Sequence, residues 1–171
     1  MKLFKNTKKK SEHCYVIAEA GLNHNGSIEV AKKLIDLASD AGADAVKFQK
    51  RTVNNLAVKS TLDAADDRFP EFGSTYREIR EFLEFDFDQY KILKKYSKDK
   101  GLDFICTCFD IEAAKFLEEL GVDAYKLASH SATDIDLIEY MAKTGKKTIL
   151  STGMTDLSEI ETAVSIFKEY G

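Results

Sequence analysis

"FLEELGVDAYKLAS", residues 116–129, holds the fold in miniature. Its first half places Phe116, Leu117 and Leu120 at helical spacing. Gly121 follows, and glycine adopts without steric cost the left-handed backbone that ends a helix. After two intervening residues "AYKLA" begins, a run too short for a helix and suited to a strand. Lys126 lies near its end with Ser129 just beyond, so an ammonium closes a segment that a sheet would bury.

The same order of signals recurs in both directions. "DLASDAGADAVKFQ" turns at Gly42, "KYSKDKGLDFICT" at Gly101 and "YMAKTGKKTILST" at Gly145. Ile28, Ala31, Leu34, Ile35 and Ala38 form one helical stripe behind Ser27, a capping residue type. Tyr90, Leu93 and Tyr96 repeat the pattern, and Asp110 opens a further helix. With Tyr15–Ala18 as the first strand, strands and helices alternate throughout, which predicts a parallel sheet with right-handed crossovers. Residues 51–85, with Pro70 and "EFGSTYREIR", break the rhythm and read as an extended loop with one short helix. Long loops at strand C-termini are usually functional. Gly171 closes the last helix as the other glycines close theirs, so the grammar calls for a further strand. Both a five-stranded open sheet and the front part of a longer barrel fit. A complete (β/α)8 barrel takes roughly 250 residues. The favoured reading is an α/β fold of TIM-barrel type with five of eight βα units present, a basic tail at 1–14 and a partial barrel domain at 15–171.

The chain has 171 residues, 44% hydrophobic and 32% charged, enough for one globular core. A net charge of -4 with interspersed signs argues against a nucleic-acid binder, which needs a basic face. Cys14, Cys106 and Cys108 are too few for a disulfide framework and suit a reducing, cytoplasmic setting; C-x-C within a strand reads as buried and structural. No apolar run approaches a membrane span.

Parallel α/β folds bind ligands at the C-terminal strand ends. The residues gathered there are Glu19, then Lys47 with Gln49, Thr107 with Phe109, Lys126 with Ser129 and Ser131, and finally Ser151. Two lysines among hydroxyls suit a multiply charged anion such as a phosphate. The competing reading pairs each lysine with a carboxylate such as Glu19. "GLNHNG", residues 21–26, contains His24 and reads as a functional loop because it follows the first strand.

"IAEAGLNHNG", "ADAVKFQKRT", "FICTCFD", "YKLAS" and "ILSTGM", in this order, resemble the sialic acid synthase family, which includes N-acetylneuraminate, legionaminate and pseudaminate synthases. The resemblance implies a TIM barrel followed by an antifreeze-like domain that this chain lacks. It implies condensation of phosphoenolpyruvate with an N-acetylmannosamine-type sugar, a divalent metal (manganese or magnesium) whose ligands lie outside this chain, and a homodimer. It also implies that Lys47, Thr107, Lys126, Ser129 and Ser151 hold phosphoenolpyruvate, and that Glu19, Gln49 and Phe109 line the sugar side. On this reading Glu19, Lys47 and Lys126 are catalytic. One position departs: the family has K-x-x-S-x-E or its aspartate version, whereas Ser131 stands here in place of the carboxylate. Asp134, three residues on, is a possible substitute. The departure leaves open a non-catalytic relative that binds a phosphorylated ligand. A Schiff-base aldolase using Lys47 or Lys126 is a third reading. The 171-residue chain alone is expected to be inactive.

Overall fold

The computed structural model describes residues 14–171, so all but the last residue of the basic stretch at 1–14 lies outside the described residues. The elements are β1 (Ile17–Gly21), α1 (Ile28–Asp40), β2 (Ala45–Lys50), α2 (Lys59–Leu62), α3 (Tyr76–Leu83), α4 (Phe87–Asp99), β3 (Asp103–Cys108), α5 (Ile111–Leu120), β4 (Ala124–Leu127), α6 (Ile135–Lys143), β5 (Thr148–Leu150) and α7 (Leu157–Glu169). The strands form one parallel sheet in the order β1-β2-β3-β4-β5. Each crossover therefore advances one place in the same direction, as in a barrel, and the order never reverses as it does in a doubly wound sheet. Helices α1, α4, α5, α6 and α7 contact one another in that sequence, forming a single layer on one face.

Strand alternation divides the interior in two. Val46, Phe48, Phe104, Cys106, Cys108, Tyr125 and Leu127 enter the main core beneath the helices. Ala45, Ile105 and Ala124, with Ile17 and Ile149 against them, form a second cluster on the concave face. The helices begin where the sequence marks them: Ser27, Asp110 and Asp134 each accept a hydrogen bond from the backbone three residues on.

Two boundaries differ from the sequence reading. β1 runs Ile17–Gly21 rather than starting at Tyr15, because Val16 is held by Asp44, whose Oδ2 accepts its N–H at 2.9 Å. The pairing of β1 with β2 also shifts between Glu19 and Gly21, a bulge that re-aims the strand end beside the site. Residues 51–85 are more ordered than an extended loop with one helix. They contain a 3-10 turn at Val53–Asn55 as well as α2 and α3. Leu62, Ile79 and Leu83 are buried. Arg77 ties the segment together, donating to Asp63 Oδ1 at 2.6 Å and Asn54 Oδ1 at 2.5 Å.

Candidate active site

The register brings the rim residues together across four strands. Glu19 lies opposite Lys47, Gln49 opposite Thr107, and Thr107 opposite Lys126. Lys47 is 8% exposed, forms an ion pair with Glu19 and donates to Thr107 Oγ1 at 3.1 Å. Lys126, half-buried on the neighbouring strand, has no ion-pair or hydrogen-bond partner among the described residues. Burial, then the charge of Lys47, push its pKa below the ordinary lysine value, and Glu19 offsets this in part. The two ammonium groups thus share one face and feel each other. Of the two sequence readings, Lys47 realises the carboxylate pairing, while Lys126 has no direct carboxylate partner among the described residues. Glu19 remains 51% exposed at its side chain, so the rim is open to solvent at the end of β1.

Gln49 continues this face. Its side-chain oxygen accepts from Arg51, and its backbone oxygen accepts from the Tyr90 hydroxyl at 2.7 Å. Gly21, with φ of 54°, stands beside both side chains: a Cβ there would lie 3.3 Å from Glu19 Oε1 and 3.4 Å from Gln49 Nε2. Further out, the Arg51 guanidinium lies 4.0 Å over the Phe109 ring, and His130 stacks on the same phenyl at 5.2 Å and 24°. Glu84 anchors this edge, accepting from the Arg51 backbone at 3.2 Å and pairing with Lys50 at 2.9 Å.

Ser129 and Ser131 occupy a 3-10 turn after β4. Ser131 is 5% exposed and lines a recess of about 290 Å³ with Asn55, Phe109, His130 and Asp134. Ser151 is tied to β4 through its N–H, which donates to the Leu127 carbonyl at 3.1 Å. Ser129 and Ser151 flank the lysines at strand ends without side-chain hydrogen bonds among the described residues.

The structure also places His24, Asp134 and the two strand cysteines. His24 is 1% exposed, stacked on Phe85 at 4.2 Å, and its Nδ1 accepts from the Gly26 N–H. Burial pulls its pKa down to about 4, so the imidazole of "GLNHNG" is a neutral core group that pins the loop. Asp134 cannot readily replace the missing carboxylate, because its Oδ1 accepts the Leu137 N–H at 3.1 Å as the cap of α6. Cys106 and Cys108 face the helix layer, and burial raises both thiols. Among the described residues no three His, Cys, Asp or Glu side chains are grouped as a metal site requires.

Arg51 and His130 are rim residues that sequence reasoning missed. Arg51 follows Gln49 by two positions, as Phe109 follows Thr107, so alternation carried one step further reaches it. His130 sits in a 3-10 turn, where strand periodicity says nothing.

Residues 34–171 match the NeuB family. The chain belongs to that family. It is 38% identical over 157 residues to the N,N'-diacetyllegionaminic acid synthase of Campylobacter jejuni subsp. jejuni, spanning 91% of this chain and 47% of that protein. It is 34% identical over 155 residues to the human N-acetylneuraminate-9-phosphate synthase, spanning 91% of this chain and 43% of that one. The N-acetylneuraminic acid synthetase of Leptospira borgpetersenii, solved in complex with citrate, superposes with a TM-score of 0.75 at 37% identity, over 91% of this chain and 50% of that one. The chain therefore spans about half or less of the length of these NeuB relatives.

Proposed function

We propose that this chain is the phosphoenolpyruvate-holding part of a nonulosonic (sialic-type) acid synthase. The reading rests on one observation: Lys126 stands beside Lys47 on the concave rim without a direct ion-pair or hydrogen-bond partner among the described residues. Phosphoenolpyruvate carries a phosphate and a carboxylate. Lys126 and Lys47 hold these as point charges, and the Thr107, Ser129 and Ser151 hydroxyls add directional donors. Ser131 binds substrate as a neutral hydroxyl. Glu19, Gln49 and Phe109 face the acceptor, an N-acetylmannosamine-type sugar in its open-chain form. The methylene carbon of phosphoenolpyruvate attacks the aldehyde, water adds at the carbon bearing the phosphate, and phosphate leaves. The anion-holding residues act by positioning and charge neutralisation. A divalent metal, manganese or magnesium, takes its ligands from outside this chain. The full-length protein is a cytoplasmic homodimer; among the described residues no helix is long and apolar enough to cross a membrane.

The test is phosphate release by the full-length protein from phosphoenolpyruvate with N-acetylmannosamine or related acceptors. Lys126→Met lowers kcat/KM for phosphoenolpyruvate by about 100-fold, the scale of losing one partner of a desolvated charge contact. The 171-residue chain alone releases none. Undiminished turnover by Lys126→Met removes the central support. A borohydride-trapped adduct at Lys126 moves the reading to a Schiff-base aldolase.

Ser131 favours a second reading, a relative that binds a phosphorylated ligand without turnover, since it is buried in the recess and Asp134 serves as a cap. Phosphate release that appears only in Ser131→Glu decides for it.

A further inference from the structure

We propose that His130 is the proton-transfer residue of this rim. The inference rests on the condensation reading, because that reaction moves protons at two points: the aldehyde oxygen gains one and the added water loses one. An efficient donor and acceptor has a side chain suited to working near neutral pH.

The rim offers few groups for the task. Glu19 is held by Lys47, and Lys47 also binds Thr107. Asp134 caps α6. Ser131 carries a hydroxyl, which donates or accepts protons near neutrality only with an activating partner. Lys126, without a direct partner among the described residues, is taken up by the phosphate. His130 remains. It is exposed to solvent, lies next to Ser131 in the chain, and lines the same recess as Ser131, Asn55, Phe109 and Asp134. Its imidazole is not loose. Stacking on Phe109 orients the ring, and Phe109 follows Thr107 by two positions at the end of β3. Contrast His24, whose ring is enclosed and whose Nδ1 is occupied by the Gly26 N–H. The charged groups facing His130 are Arg51, on the same phenyl ring, and Asp134, in the same recess.

The π pair of the enol phosphate forms the carbon–carbon bond to the aldehyde carbon. The carbonyl pair moves to the aldehyde oxygen, which takes a proton from the His130 imidazolium. The neutral imidazole then accepts a proton from the water that adds at the phosphate-bearing carbon, restoring the imidazolium. The resulting tetrahedral species loses its carbon–oxygen bond to phosphate, and its hydroxyl proton leaves with the phosphate.

The test uses the full-length protein, phosphoenolpyruvate and an acceptor sugar that the wild type condenses. His130→Asn lowers kcat by about 100-fold, the lower end of general acid–base contributions. KM for phosphoenolpyruvate stays within about threefold, because the anion contacts lie on Lys47 and Lys126. The pH profile of kcat/KM in the variant differs in shape from that of the wild type. Added imidazole restores part of the rate, and His130→Asn with Ser131→Glu recovers at least about tenfold by supplying a carboxyl group to the same recess. His130→Gln serves as a second variant, and thermal unfolding shows that both are folded. A kcat within about threefold of wild type, or a loss confined to KM with an unchanged pH profile, overturns the proposal. A wild-type protein that forms no product with any acceptor overturns the condensation reading itself, an outcome visible before any variant is made.

Discussion

On β3, Phe104, Cys106 and Cys108 enter the helix layer, while Ile105 and Thr107 face the concave side. β2 makes the same division: Val46 and Phe48 join the main core, and Lys47 and Gln49 belong to the rim. The helix-facing side is continuous in its chemistry, with ring contacts running from Phe48 to Phe104, from Phe104 to Tyr90 and from Tyr90 to Phe116. The concave side changes along each strand, from Ala45, Ile105 and Ala124 to Lys47, Thr107 and Lys126. Apolar burial on the first side supplies the stability that lets charges stand close together at the end of the second. The lysines show the same contrast. Lys50 pairs with Glu84 at 2.9 Å and lies 4.9 Å over the Phe116 ring, so its charge is absorbed by structure. Lys126, on the other face, has no such partner among the described residues.

The difference can be broken most forcefully from the helix-facing side. Phe104→Ala leaves a cavity beside Phe48 and Tyr90 and costs about 3–5 kcal/mol in denaturant unfolding. Lys47→Met is its concave counterpart. It shifts unfolding stability by no more than about 1 kcal/mol, since Glu19 stays half-exposed, yet weakens phosphoenolpyruvate binding by about 100-fold or more in calorimetry on the full-length protein. If both variants lose stability alike, the division of labour between faces is wrong.

His24 sharpens the helix-facing side through pH. The unfolded chain protonates this histidine below about 6.5, whereas the native state keeps it neutral until about 4. The unfolded state therefore binds more protons in that window, and stability falls as pH drops, by about 3 kcal/mol at the lower end. Urea unfolding across the window measures it, and His24→Asn flattens the dependence.

Lys126 sharpens the concave side. Because its pKa is lowered, its charge is lost at a pH below the ordinary 10.5, and anion binding weakens from there upward. Lys126→Arg, always charged, holds binding to higher pH in the same titration. The smallest effect is expected from Asp134→Ala, about 1 kcal/mol of stability for a lost cap with turnover unchanged. A tenfold drop in turnover instead makes Asp134 a working carboxylate.

Much of this was legible in local pattern. Gly42, Gly101, Gly121 and Gly145 all adopt positive φ, as the helix-then-strand reading requires, and alternation put Lys47, Gln49, Thr107 and Lys126 on one face. These features depend on residues a few positions apart, so the sequence by itself determined them. It also determined the capping residue types and the family motifs.

Tertiary structure alone decided who meets whom. The Glu19–Lys47 pair, the stack of Arg51 and His130 on Phe109, and the enclosure of His24 by Phe85 join residues from different strands and loops. The order within 51–85 arises likewise from Arg77 reaching Asp63 and Asn54. Such contacts depend on strand register and loop packing, which are set by the whole sheet closing on its core. Periodicity tells which way a side chain points; only the assembled neighbours fix whether it finds a partner there.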